Sequence, residues 1–214
     1  MSTFILFYLA AALCTAIHVL SLAAASRLAR SAVEEIELFT APLIKGPVVK
    51  FRANGVRWRL GFFPISGYIK SDFVSMHPFK RSIVVSAGCA TLIVFSILLI
   101  GPAACLESLA NGFDQVLQFV MHPLAKGPGL LLQSWRFFAD SGFIVCLGVM
   151  AAKVAAINLM PWPSLNGFEI LCSLLECLVR IPIKAKAVIY TAGTLGSIIF
   201  LIELVIAAIG LFRQ

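Results

Sequence analysis

The sequence has few charged residues for its length. Asp, Glu, Lys and Arg make up 13% of its 214 residues, whereas hydrophobic residues make up 60%. An ordinary soluble domain carries about 25% charged residues, and a soluble core of this size cannot bury so much apolar surface. This deficit excludes an ordinary soluble domain and predicts a protein embedded in a lipid bilayer.

Paired cysteines and a basic N-terminus are also absent. None of the six cysteines forms a Cys-x-x-Cys pair, and most lie in apolar segments, which argues against a disulfide framework or a cysteine zinc cluster. No Lys or Arg precedes Arg27, so the first apolar segment lacks the basic start of a secretory signal peptide. We therefore expect this segment to be retained.

The positive charge is concentrated in one part of the chain. The net charge is +7, and ten of the 17 Lys and Arg residues lie between Arg27 and Arg81. No nucleic-acid-binding motif accompanies these residues, so nucleic acid is not expected as a partner. Basic residues between apolar segments are typical of the cytoplasmic loops of membrane proteins.

Four apolar segments are long enough to cross a bilayer, which takes about 20 residues. The loops between them alternate between basic and weakly charged, which places both termini outside the cytoplasm. We therefore predict an all-α polytopic membrane protein, a single domain over residues 1–214, in a bacterial inner membrane. The outer loop, residues 106–135, is expected to form one or two interfacial helices. The predicted spans are residues 4–26, 83–105, 138–160 and 187–212.

A β-hairpin or re-entrant segment is predicted between the first two spans, over about residues 46–70. The stretch "GPVVKFRANGVRWRLGFFPISGYIK" alternates apolar and basic residues on both sides of Asn54-Gly55. Asn-Gly between alternating runs favours a type I′ hairpin turn, because that turn needs positive φ at both central residues. "FPISGYIK" then returns towards the membrane, where non-helical backbone must be covered by protein.

Polar side chains inside apolar segments are costly, and each is therefore a functional candidate. Lys153 is predicted to pair with Glu203 or to reach a functional site, while the alternative is that its ammonium extends to the membrane interface. The full set is His18, Lys153, Asn158, Asn166 and Glu203.

Several motifs occur in a fixed order along nearly the whole chain. The first span contains "TAIHVLSLAAASRLA", and "PISGYIKS", "HPFKRSIVVSAGC" and "NLMPWPSLNGFEIL" follow. This series resembles the site-2 protease family of intramembrane zinc metalloproteases. The resemblance implies a site-2-protease-like core in which two His of an H-E-x-x-H helix and an Asp of the later loop bind zinc, with the Glu as general base.

Three of the four catalytic positions carry other residues here. His18 occupies the first ligand position, Val19 the position of the base, Leu22 the second ligand position and Asn166 that of the Asp. Val19 cannot take a proton and Leu22 has no lone pair for zinc, so the resemblance implies a degenerate site. His18 is only a remnant ligand, and no metal or other cofactor is expected.

Further residues bear on this interpretation. Ser66 and Cys89 depart from the family's Gly and Pro at those positions. Neither His77 nor His122 is expected to share a face with His18, whereas Glu169 is a candidate to approach the site. Asn166 also fits a left-handed turn residue before Gly167.

We therefore predict an inactive, protease-like subunit that binds another membrane protein or a transmembrane peptide, with lipid as a further partner. An active intramembrane zinc metalloprotease with divergent ligands is the first alternative, for which zinc is the cofactor. A transporter or channel subunit is the second. The predicted partner-binding groove comprises Gly67, Tyr68, Asn158, Pro161, Pro163, Asn166 and Gly167.

Overall fold

A mostly helical chain carries a small β-sheet after its first helix. The computed structural model describes residues 2–40, 49–64, 66–73, 75–163, 165–179 and 181–211. In these ranges about 70% of the chain is helical, with seven helices and four strands. They are α1 (Thr3–Leu28), β1 (Val33–Thr40), β2 (Val49–Ala53), β3 (Val56–Leu60), β4 (Ser66–Ser71), α2 (Pro78–Ile100), α3 (Pro102–Met121), α4 (Pro123–Asp140), α5 (Phe143–Leu159), α6 (Asn166–Glu176) and α7 (Ile183–Leu211).

Proline marks the first residue of three consecutive helices: Pro78, Pro102 and Pro123 begin α2, α3 and α4. At this position the missing N–H is not needed, and the fixed φ of proline suits the helix. Gly101 separates α2 from α3 with φ of +82°, a conformation that other residues rarely adopt. The predicted span at 83–105 is therefore not one helix, because α2 ends at Ile100.

Two helices in the described ranges are both long and apolar enough to cross a bilayer, namely α1 and α2. Helix α5 is apolar, but its 17 residues are at the lower limit for crossing a bilayer. Helix α7 contains most of the fourth predicted span. The count of four spans stays a prediction. The loop predicted at 106–135 is helical, and its two helices pack against α5 and α7.

The predicted β-hairpin belongs to a larger sheet of four strands, so the chain is mostly helical and not all-α. Its strand order is β2-β3-β1-β4, with β1 parallel to β3 and antiparallel to β4. The predicted turn is present, since Asn54 and Gly55 have φ of 51° and 78°. The hairpin itself covers 49–60, while β4 pairs with β1, and residues 46–48 lie outside the described ranges. The strand β1 was missed because its burial pattern does not alternate strictly.

The sheet packs against the second half of α1. Val19 and Ala23 of α1 form an apolar cluster with Ile36, Leu38 and Val56 of the strands. These contacts lock the apolar face of the sheet onto the helix and leave its other face to the charged residues.

The segment after β3 returns beside the N-terminal half of α1. Thr15 Oγ1 donates a hydrogen bond to the Pro64 carbonyl at 3.1 Å, and the Tyr8 hydroxyl donates to the Phe62 carbonyl. Backbone carbonyls that lack regular secondary structure need such partners inside an apolar environment. The hydroxyl groups of Tyr8 and Thr15 thus satisfy two carbonyl groups of the non-helical segment that lies beside α1.

Helix α2 lies at the centre of the helical part and packs against α1, α5 and α6. Helix α5 contributes four fully buried alanines, whose small side chains let the helices approach closely. The core between these helices is built mainly from small and medium side chains: Ala10, Cys14, Cys89, Leu92, Cys146, Ala151 and Ala155.

Replacing Gly55 by Ala tests the hairpin turn. We expect Gly55→Ala to lower the free energy of unfolding by about 1 kcal/mol, because a Cβ is unfavourable at positive φ. No atom lies within 4 Å of that Cβ position, so backbone strain alone is tested. Gly129→Ala in α4 is the control, since its Cβ is equally free of contacts and helix propensity favours Ala. Thermal unfolding of the purified protein measures both; equal effects would contradict the assignment.

Candidate functional site

Three residues of α1 share the face that points into the molecule. His18 is 7% exposed, Val19 1% and Leu22 8%. Their spacing of one and four residues places them on adjacent turns of one side of the helix. The positions that the resemblance singled out therefore face the interior and not the lipid.

The first residue of α6 completes this group. Asn166 Nδ2 lies 3.0 Å from His18 Nε2 and 3.3 Å from the Val85 carbonyl. Because the same amide nitrogen also donates to the Val85 carbonyl, this arrangement makes Nε2 the acceptor and requires a neutral imidazole, with the proton on Nδ1, which has no hydrogen-bond partner among the described residues. Asn166 begins a helix and lacks the positive φ of the left-handed turn residue considered above, so that interpretation is wrong.

Three glycines bring the elements of the site into close contact. A Cβ on Gly88 would lie 2.6 Å from His18 Nδ1, and one on Gly167 would lie 2.1 Å from the Leu159 carbonyl oxygen. A Cβ on Gly67 would lie 2.5 Å from the Glu37 carbonyl oxygen and 3.0 Å from the Val19 methyl. Each glycine belongs to one of the quoted motifs. The scaffold of the site is therefore closely packed although its catalytic groups differ.

A cavity of about 1220 Å³ opens above this group. Helix α1 forms one wall, β4 a second, and α2, α5 and α6 the remainder. Its walls are more apolar than polar, and each element that forms them also contributes a polar side chain. The residues of α1 and β4 that line it are Thr15, His18, Val19, Leu22, Ser66, Gly67, Tyr68 and Ile69.

The predicted groove residues divide into two sets. Gly67, Tyr68, Asn158 and Asn166 line the cavity. In the described ranges the others do not: Gly167 packs on the end of α5 and Pro163 lies against Gly193 of α7, and Pro161 is exposed. Gly167 and Pro163 therefore pack against neighbouring helices and do not line the cavity.

An ion-pair network that the motifs did not indicate forms the rim of the cavity. Arg81 is 5% exposed, and its guanidinium lies 3.1 Å from the Glu169 carboxylate, contacts Glu176 and donates to Ser173 at 2.7 Å. The Tyr190 hydroxyl donates to Glu169. Buried charges need such partners, and the network ties α2 to α6 and α7.

In the sequence, Arg81 belongs to the basic region before the second span, and no motif indicates Tyr190. The available signal was that "HPFKRS" places an arginine inside the first turn of an apolar helix, where it needs an acceptor. The packing of α2 against α6 determines which carboxylates form ion pairs with Arg81.

Zinc does not fit the residues present. His18 Nε2 already accepts the hydrogen bond from Asn166, Val19 and Leu22 contribute only methyl groups, and Glu169 is held by Arg81 and Tyr190. His77 and His122 lie at helix ends and do not line the cavity. Across the described ranges no group of three His, Cys, Asp or Glu residues is placed to hold a metal ion. No hydrolytic step can be derived from this set.

Lys153 has a hydrogen-bond partner that the sequence did not indicate. Its Nζ donates a hydrogen bond of 2.8 Å to Gln115 Oε1 of α3. The close approach of α3 at this point depends on Gly112, whose Cβ would lie 2.9 Å from that of Ala156. The side chain of Glu203 lies outside the described part of the chain.

Tyr68 links the cavity to the charged face of the sheet. Its hydroxyl donates to Glu35 Oε1 at 3.1 Å. Partial burial, and then this hydrogen bond to a carboxylate, raise the pKa of Tyr68. On the same sheet, the hydrogen bond and charge of Lys70 lower the pKa of Glu34.

Substitution of Asn166 by Ala tests the contact with His18. We expect Asn166→Ala to lower the free energy of unfolding by about 1–3 kcal/mol, because it leaves a buried imidazole nitrogen without its donor. Asn158→Ala is the matched control, since among the described residues the Asn158 amide donates to the Val154 carbonyl of its own helix, and we expect a change of about 0.5 kcal/mol or less. Thermal unfolding in detergent measures both, and the same loss in each would contradict the assigned hydrogen bond.

Comparison with known proteins identifies a family that matches nearly the whole chain. The family model of peptidase family M50 matches residues 6–204. No curated protein and no solved structure matches the chain. The match covers nearly the whole chain and all five elements named above as the cavity wall. The chain therefore belongs to peptidase family M50, the site-2 protease family.

Proposed function

We propose that this chain is a catalytically inactive member of its family that binds a transmembrane segment of another membrane protein, as an assembly or regulatory subunit. The observation that carries the proposal is the hydrogen bond from Asn166 to His18 at the floor of an open cavity. It joins the two positions that would hold the metal in an active relative, and family membership by itself does not establish activity.

The chemistry of the floor supports inactivity. A zinc hydrolase needs ligands with free lone pairs and a base that removes a proton from the metal-bound water. Val19 and Leu22 supply neither a ligand nor a base. Among the described residues, no acidic side chain places a free carboxylate at the floor of the cavity in their stead. Zinc would belong to the alternative, an active protease with divergent ligands.

The edge of the sheet supports a binding role. Strand β4 is the outermost strand and, among the described residues, pairs only with β1. Gly67, Tyr68 and Ile69 of this strand line the cavity. An exposed edge accepts an extended peptide through main-chain hydrogen bonds, while neighbouring pockets receive its side chains. A partner segment can thus be held without being cut.

The proposed orientation follows from the charge pattern. With both termini outside the cytoplasm, the basic sheet lies on the cytoplasmic side of a bacterial inner membrane. A partner would then enter the cavity laterally between β4 and the helices.

Site-specific photocrosslinking tests the binding role. A photoreactive residue at Tyr68, in the cavity, is expected to capture a membrane protein in cells, whereas one at Val94, exposed on α2 and away from the cavity, is not. Ile157→Trp, which fills the cavity, should reduce capture from position 68 about tenfold or more. Equal capture at both positions would contradict a binding cavity.

Metal analysis tests the inactive state separately. Purified protein should hold zinc well below one equivalent, and His18→Ala should not change that amount. The triple variant V19E/L22H/N166D supplies the family's ligand types and is the positive control, for which we expect a gain in zinc. One tightly held zinc per wild-type chain that is lost in His18→Ala would establish the active alternative.

A further inference from the structure

The two faces of the β2–β3 hairpin differ sharply in chemistry. Cross-strand partners share a face, so Lys50 lies beside Arg59, and Arg52 beside Arg57. Phe51 stacks on Trp58 on the opposite face, with ring centroids 5.9 Å apart. One face is thus cationic and the other aromatic.

The register forces like charges together on the cationic face. Like charges directly opposite on neighbouring strands are destabilising. Strand β1 compensates only part of this cost: Arg57 lies 3.3 Å from a Glu35 carboxylate oxygen and Arg59 lies 2.9 Å from Glu37. These two carboxylates stand against four cations on the shared face.

Lys50 and Arg52 carry the excess charge. Both are exposed, and neither has a carboxylate within salt-bridge distance in the described part of the chain. They line an open groove of about 810 Å³ together with Arg57 and Arg59. Glu34 and Glu35 also line the groove, but Glu34 is paired with Lys70 and Glu35 with Arg57. An anion in this groove would relieve the repulsion that the register imposes.

The other face of the hairpin points to a membrane. Val49 is 58% exposed and Phe51 is 44% exposed, although both lie on the face that packs against α1 further along the sheet. An amphipathic element with exposed apolar residues and cations is typical of the membrane–water interface. The hairpin turn also lies at the end of the sheet where α1 ends, since Glu35 near the start of β1 pairs with Arg57.

We infer that the cationic face of this hairpin binds the phosphate of an anionic phospholipid, through Lys50 and Arg52 with Arg57. Glu35 holds Arg57 in place, and the exposed Phe51 and Val49 contact the acyl boundary. This inference does not depend on the partner-binding role of the cavity, because the two sites share no residue.

The test uses the purified full-length chain in a neutral detergent, with native mass spectrometry to count bound lipid. The chain is titrated with phosphatidylglycerol, phosphatidylcholine, soluble glycerol phosphate and a Glu-rich peptide. We expect phosphatidylglycerol to bind most tightly. Each cation removed should weaken its binding about fivefold, and K50Q/R52Q roughly 25-fold.

A matched double variant controls for overall charge. R27Q/K126Q removes two exposed cations that lie outside the hairpin, and it should bind phosphatidylglycerol like the wild type. Equal loss in both double variants would assign the effect to diffuse charge and overturn the proposal. So would equal affinity for phosphatidylcholine, or equally tight binding of glycerol phosphate or the acidic peptide.

Thermal unfolding gives a second, independent outcome. Phosphatidylglycerol should raise the unfolding temperature of the wild type and leave that of K50Q/R52Q unchanged. Without lipid, the double variant should unfold at the same or a higher temperature, because like-charge repulsion has been removed. If it fails to fold, K50Q and R52Q singly take its place, and binding unchanged in both would overturn the assignment.

Discussion

Helices α1, α2 and α6 converge where the His18 imidazole accepts a hydrogen bond from Asn166. The contact is possible only because Gly88 has no side chain and lets α2 lie directly against the ring. The Asn166 amide gives the buried Nε2 of His18 a hydrogen-bond partner and also donates to the Val85 carbonyl of α2, whereas Nδ1 has no partner among the described residues. The cavity above this point and the placement of β4 beside Val19 both follow from the same close packing.

Charged groups in this chain are handled in two different ways. Arg81 is buried at the rim of the cavity and is surrounded by two carboxylates, a serine and, through Glu169, a tyrosine. Breaking such a network by removing one partner is costly, and it therefore fixes the relative positions of α2 and α6. On the hairpin, in contrast, cations are left in excess at the surface. The network around Arg81 pairs its charge within the chain, whereas the excess cations of the hairpin are the basis of the proposed lipid-binding site.

Much of the fold was accessible from sequence because its signals are local. Hydropathy located the apolar helices, and Asn54-Gly55 located the hairpin turn. The errors have physical causes: a glycine at positive φ divides the second apolar segment, and β1 is buried without strict alternation. Lys153 is predicted from sequence to pair with Glu203, to reach the site or to extend to the membrane interface, and its ammonium donates a hydrogen bond to Gln115 of α3, which no sequence signal indicates.

The sequence by itself determined that the chain is a membrane-embedded member of its family and that no base or second histidine ligand stands at positions 19 and 22. Those conclusions depend on residue identity and order, which need no coordinates. Only the tertiary structure decided that Asn166 forms a hydrogen bond with the imidazole of His18 and that Glu169 forms an ion pair with Arg81. It also decided that β4 is an edge strand beside the cavity. These are contacts between segments distant in sequence, and packing geometry alone sets which of them meet.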